Sequence, residues 1–186
     1  LTDVVIPAAN TIGELYNRGR LGKTERAFLG NLMMELVDLV KFNSRSPEQK
    51  TNASAIFVAG SEDRALLAKS AAVAFQVLGW DSLYIGDVEE QIDPFFDIDF
   101  QRYVSRVWAE RHGIMIICIF SSGEGSLKFL SSAARALKGR MKGELRLAVY
   151  ATQELQQAAE ESSDFSAKDL LSLVEWAERE YTVMTG

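Results

Sequence analysis

The sequence predicts an α/β fold: a doubly wound, five-stranded parallel sheet in the order 2-1-3-4-5, preceded by a small helical-bundle cap. Three observations carry this expectation. Residues 54–59, 114–120 and 145–150 are apolar runs without polar alternation, as expected of strands buried on both faces. Segments with helical spacing of apolar residues separate these runs, the arrangement that covers a parallel sheet on both sides. Two further helical segments stand ahead of the first strand, divided from it by a polar stretch.

The first helix carries Val4, Val5, Ile12, Leu15 and Tyr16 at helical spacing, with Pro7 tolerated in its opening turn. Gly19 and Gly22 mark the turn to a second helix over about 24–42. There Phe28, Leu29, Leu32, Met33, Leu36, Val37, Leu39 and Val40 form a wide apolar face, and Leu32 and Leu36 are expected to pack in the scaffold with Leu15. Residues 1–43 form the expected cap, 44–53 the linker, and 54–186 the α/β domain. Strand one spans 54–59, and a helix over 62–78 closes at Gly79. Strand two spans 82–85. A helix over 94–112 has Asp93 placed as its N-cap and Pro94 as its first residue. The central strand covers 114–120 and precedes a helix over 124–137. Strand four covers 145–150 and a helix 153–160. A stub strand at 164–165 precedes the last helix, 168–181.

With 186 residues and 47% hydrophobic content the chain can bury a core without covalent staples. A single cysteine, Cys118, excludes an intrachain disulfide and fits a reducing, cytoplasmic setting. The longest apolar run is too short to span a bilayer, and no signal peptide is visible, so no membrane association is expected. The sequence opens on Leu1 in apparent helix, which suggests a piece of a longer protein. A formal charge of −6 argues against direct nucleic-acid contact, since neutralising phosphates needs a basic face.

In such a sheet a ligand sits beyond the carboxyl ends of the strands, where strand order reverses. That places two loops at the site: Gly60, Ser61, Glu62, Asp63 and Arg64 after strand one, and residues 121–126 after strand three. Ser121, Ser122 and Gly123 suit either an anion cradle at a helix N-terminus or an ordinary turn with a serine cap. The loop lacks a P-loop lysine, and Glu124 would repel phosphate. Glu62 and Asp63 complement a helix dipole, whereas the position of Arg64 favours a functional role. His112 beside Gly113 reads as a helix end, the glycine supplying a left-handed cap; as a haem ligand it is a weaker candidate. Cys118 reads as inert core. Residues 87–100 mix acids with aromatics, so Phe95, Phe96, Asp97 and Phe100 are candidates for docking a protein partner, the alternative being that the phenylalanines are simply the buried side of the helix opening at Pro94. Arg135, Lys138, Arg140, Lys142 and Arg146 form the one basic cluster, expected to be dipole complement and solvated surface.

The first helix, Pro7-Ala8 through Ile12-Gly13-Glu14-Leu15-Tyr16 to Gly19, resembles the cap helix of cobalamin-binding regulators, P-A-x-x-x-I-G-E-L-W-x-x-G. The helix after strand one, ending Leu78-Gly79-Trp80, is similar to the family segment that opens D-x-H-x-x-G and closes on Gly-Trp or Gly-Phe. The resemblance implies a cobalamin-binding-domain-like module, Rossmann-like or flavodoxin-like in its α/β part. It also implies that the motif is degenerate, because the departures fall on ligand contacts. Glu62 and Arg64 stand where the family has Asp and the cobalt-ligating His. Tyr16 replaces the cap tryptophan, and Arg26-Ala27 replaces Glu-His. Tyr150 stands where Gly-Gly leaves room for the nucleotide tail.

These departures lead to the expectation that no cofactor is bound, with cobalamin or haem as the exceptions. The expected function is a regulatory sensor or protein-interaction module, similar to cobalamin-binding transcription regulators and antirepressors but without histidine-ligated cobalamin. The alternatives are a corrinoid or other tetrapyrrole binder acting as methyl carrier or sensor, and a flavodoxin-like nucleotide binder. No enzyme activity is expected, since one His and one Cys offer little material for a nucleophile–base pair.

Overall fold

The structure, a computed structural model, describes residues 1, 4–44, 48–87, 102, 106, 113–140 and 144–185. Two helices come first, α1 (Val5–Asn17) and α2 (Lys23–Asn43). Then follow β1 (Ala53–Ala59), α3 (Glu62–Val77), β2 (Asp81–Asp87), β3 (Ile114–Ser121), α4 (Glu124–Arg140) and β4 (Leu145–Ala151). A 3-10 turn (Gln153–Leu155) leads into α5 (Gln156–Ser162), β5 (Phe165–Ala167) and α6 (Leu170–Thr185). The helix expected over 94–112 lies outside the described residues, except for Arg102 and Arg106, both helical.

The strands form one parallel sheet in the order β2-β1-β3-β4-β5, as expected. The absence of polar alternation has a direct cause. Ala55, Phe57, Ile116, Cys118 and Phe120 face one layer with Phe75, Trp80 and Trp176, while Ile56, Val58, Ile117 and Ile119 face another with Leu127 and Leu130. Every residue of β1 and β3 is buried. Removing this much apolar surface from water on both faces, at about 25 cal/mol per Å², is the main favourable term holding the layers together. Aromatic edge contacts reinforce one face: Phe57 meets Phe75 at 5.0 Å between ring centroids, and Phe75 meets Trp80 at 5.3 Å.

The helices ahead of the sheet depart from expectation. Val5 and Val37 pack on Val73 of α3, and Lys69 of α3 pairs with Asp38 at 2.7 Å. Val37 is the one buried residue of α2, whereas Phe28 is 62% exposed and Leu32 and Leu36 lie open as well. The apolar face is wider than the groove between α1 and α3, so its outer half meets solvent.

Two smaller expectations also change. Gly113 is absent from the glycines with positive φ, so it is no left-handed cap. A Cβ there would lie 1.8 Å from the Asn52 carbonyl oxygen, and this close approach is what demands glycine. Three members of the basic cluster are committed within the chain. Lys138 pairs with Asp164 at 2.7 Å, Arg146 with Glu144 and Glu180, and Arg135 donates to the Glu161 carbonyl. No helix among the described residues is long and apolar enough to cross a membrane.

Candidate functional site

The carboxyl ends of β1 and β3 bring the two expected loops together. The Gly60 amide donates to the Phe120 carbonyl at 2.7 Å, and a Cβ on Gly60 would stand 3.1 Å from Ser126 Oγ. Ser61 occupies the N-cap position of α3 without capping it. Its hydroxyl lies 2.9 Å from Ser122 Oγ, and the Ser122 hydroxyl donates to Asp63 Oδ1 at 2.9 Å. Since Ser122 spends its one proton on Asp63, Ser61 is the donor between the two serines. Ser121 is fully buried, its hydroxyl bonded to the Gly123 carbonyl and to Ser126. The polar groups of the serine loop are thus engaged by neighbouring protein groups. Glu124 is exposed and pairs with Lys128, which holds its carboxyl below the usual range. Glu62 points to solvent on the first turn of α3.

Arg64 differs. Its side chain is largely buried, and its Nε has no hydrogen-bond partner; the nearest carboxylate oxygen, Asp63 Oδ2, is 3.3 Å away. The Nε–Oδ2 approach is an ion pair by distance only, because the angular requirement of a hydrogen bond is not met. Tyr150, at the end of β4, stacks on Phe120 with centroids 5.2 Å apart and planes 17° apart. Burial pushes its phenol above the ordinary range; the Arg64 guanidinium opposes that and the Asp169 carboxylate adds to it. Asp169 accepts the Ser172 amide at 2.7 Å in the first turn of α6.

Beside Tyr150 lies a cavity of about 130 Å³, walled by Ile6, Leu67, Phe120, Tyr150, Asp169, Leu170 and Leu171. The structure therefore gathers Tyr150, Arg64, Ser121, Ser122 and Gly123 at one edge of the sheet. Tyr16 takes no part in that cavity. It stands about 15 Å along α1 from Ile6, its ring beneath the Arg26 guanidinium at 4.5 Å. Ile6, Leu170 and Asp169 are wall residues that sequence reasoning missed. An isoleucine beside a proline in a first turn carries no signal of what it will touch. Phe95, Phe96, Asp97, Phe100 and His112 lie outside the described residues. Cys118 is buried at the sheet centre, its thiol pushed far up by burial.

No family model and no curated protein matches the sequence. Solved structures do. The monomethylamine corrinoid protein of Methanosarcina barkeri superposes with a TM-score of 0.59 at 12% identity, covering 97% of this chain and 80% of that one. The methanol:cobalamin methyltransferase complex MtaBC of Methanosarcina barkeri gives 0.46 at 12% identity, covering 97% of this chain and 67% of that one. The expectation that no cofactor is bound, with cobalamin or haem as the exceptions, is corrected by the first of these neighbours, a corrinoid protein, and it is not retained. The five-stranded sheet, its order and the helices around it give this chain the fold of a cobalamin-binding domain.

Proposed function

We propose that this chain is a corrinoid-responsive regulatory module that acts by binding another protein and catalyses no reaction itself. One observation carries the reading: Ile6 of α1 forms a wall of the cavity at the carboxyl edge, against Phe120 and Tyr150. A ligand larger than that cavity displaces Ile6, and with it the α1–α2 pair, which otherwise rests on α3 through Val5, Val37 and Val73. Ligand occupancy is thereby converted into a change of helix position, the form of coupling that a sensor needs.

A corrinoid is the ligand class that fits a fold of this kind, but the residues do not fit a cobalamin ligated by a histidine of the β1–α3 turn. Arg64 stands there, and a guanidinium has no lone pair to give. Protein docking draws support from the exposed apolar side chains of α2, with Phe42 at 79% exposure, and from the acidic-aromatic composition of residues 95–100. The single cysteine is buried and unreactive, which favours binding over covalent chemistry.

The experiment is a titration with hydroxocobalamin followed by corrin absorbance and by small-angle scattering. Saturable binding together with a change in radius of gyration is expected. Binding that leaves the scattering unchanged refutes the coupling; no saturation up to about millimolar ligand, roughly −4 kcal/mol, refutes the corrinoid. Phe96→Ala with Asp97→Lys, tested by pull-down, is expected to lose a protein partner while melting normally.

A further inference from the structure

We infer that Arg64 and Tyr150 together determine how a corrinoid meets this edge: the nucleotide tail stays outside the protein, and cobalt receives no histidine ligand from the β1–α3 turn. The inference rests on the corrinoid reading above and specifies its binding mode.

Two independent features point to it. The first is chemical. Arg64 lies on the first turn of α3, largely buried beside Tyr150, with its Nε unbonded. A guanidinium offers five donors and no acceptor and stays protonated at any ordinary pH. The sequence holds one histidine, His112. The described residue next to it, Gly113, abuts Asn52 at the amino ends of β1 and β3. The eight-residue β3 separates that end from the carboxyl edge by about 25 Å.

The second feature is steric. The cavity beside Tyr150 is about 130 Å³, below the roughly 300–1,000 Å³ of pockets that enclose small ligands. The walls on the Tyr150 side, away from Ile6, resist opening. The Tyr150 ring is stacked on Phe120, itself 1% exposed, and Leu170 is buried at the start of α6. Asp169 is held by the Ser172 amide. A benzimidazole nucleotide does not enter unless Tyr150 leaves. A cobalamin resting on this edge therefore keeps its own base on cobalt, and a corrinoid without the nucleotide binds equally well.

The test uses the purified chain, hydroxocobalamin, and aquocobinamide, which lacks the nucleotide. The two affinities are expected to agree within about threefold, under 1 kcal/mol. Bound cob(II)alamin is expected to show coupling to its own benzimidazole nitrogen in electron paramagnetic resonance. A base-off spectrum, or histidine nitrogen coupling in the native chain, overturns the inference. Arg64→His with Tyr150→Gly is expected to turn bound cobalamin base-off and tighten it by about tenfold, with Tyr150→Ala as the milder opening. If the native chain binds neither corrinoid while the folded double variant binds cobalamin base-off, the exclusion by these two residues stands and the corrinoid-responsive function falls. If the folded double variant keeps cobalamin base-on, or binds none, the inference itself fails.

Discussion

Lys50, in the polar stretch between α2 and β1, sets its ammonium 2.5 Å from the carboxylate of Glu178 on α6, the last helix. The same carboxylate accepts the indole N–H of buried Trp80 at 2.7 Å, and the ammonium lies over the rings of Trp80 and Tyr181. One acid thus ties the approach to the first strand, the start of β2 and the end of the chain. Glu178→Ala leaves a mostly buried ammonium and an indole N–H without their acceptor, so a loss of about 2 kcal/mol is expected in urea unfolding. Glu178→Gln keeps an acceptor for Trp80 and is expected to lose about half as much.

Tyr150 makes stability depend on alkaline pH. Burial raises its folded value above the unfolded value of about 10. The stabilisation is then complete below that unfolded value and is lost as pH rises through the folded one. Between about pH 9 and 11 the urea midpoint of the native chain is expected to fall more steeply than that of Tyr150→Phe. Parallel slopes would show that the phenol does not sense its surroundings.

Gly113 and Gly60 separate two degrees of crowding. Alanine at 113 drives its methyl into the Asn52 backbone and against the 2.9 Å bond from the Ile114 amide to the Asn52 carbonyl. A loss of about 3 kcal/mol is expected. Alanine at 60 meets Leu130 Cδ1, Ser126 Oγ and the Phe120 carbonyl at 3.1–3.3 Å. Small shifts relieve that, at about 1 kcal/mol. Equal losses from chemical denaturation would contradict the contrast.

The outer face of α2 offers the opposite test. Phe28→Glu with Leu39→Glu changes side chains 62% and 54% exposed, so stability is expected to hold within about 0.5 kcal/mol per site. Partner capture is expected to drop if this face docks a protein. A large fall in melting temperature would show that these side chains are core after all.

The central strands were readable to within a residue at their ends, because burial on both faces writes an unbroken apolar run into β1, β3 and β4. The loop pair at the carboxyl edge was readable too, since topology alone locates it. What covers a helix face was not. The spacing of Phe28, Leu32 and Leu36 records which side of α2 is apolar, not whether a neighbour exists to bury it. Gly113 was misread for a related reason: its requirement comes from Asn52, about sixty residues earlier, and local pattern carries no trace of that approach. Tyr150 and Tyr16 were both assigned by analogy; the first borders the cavity and the second lies away from it, pairing with Arg26.

The pairing of β1 with β3 has a consequence for synthesis. Ala53 lies opposite Ile114, and the intervening chain must be made before β1 gains its inner neighbour. At roughly 5–20 residues per second, that leaves β1 paired with β2 alone for several seconds after it emerges. During that interval Ala55, Phe57 and Val58 present an apolar edge to whatever is nearby. Yield in the cell is therefore expected to depend on elongation speed between β2 and β3 and on chaperone supply, even where the finished fold is unchanged.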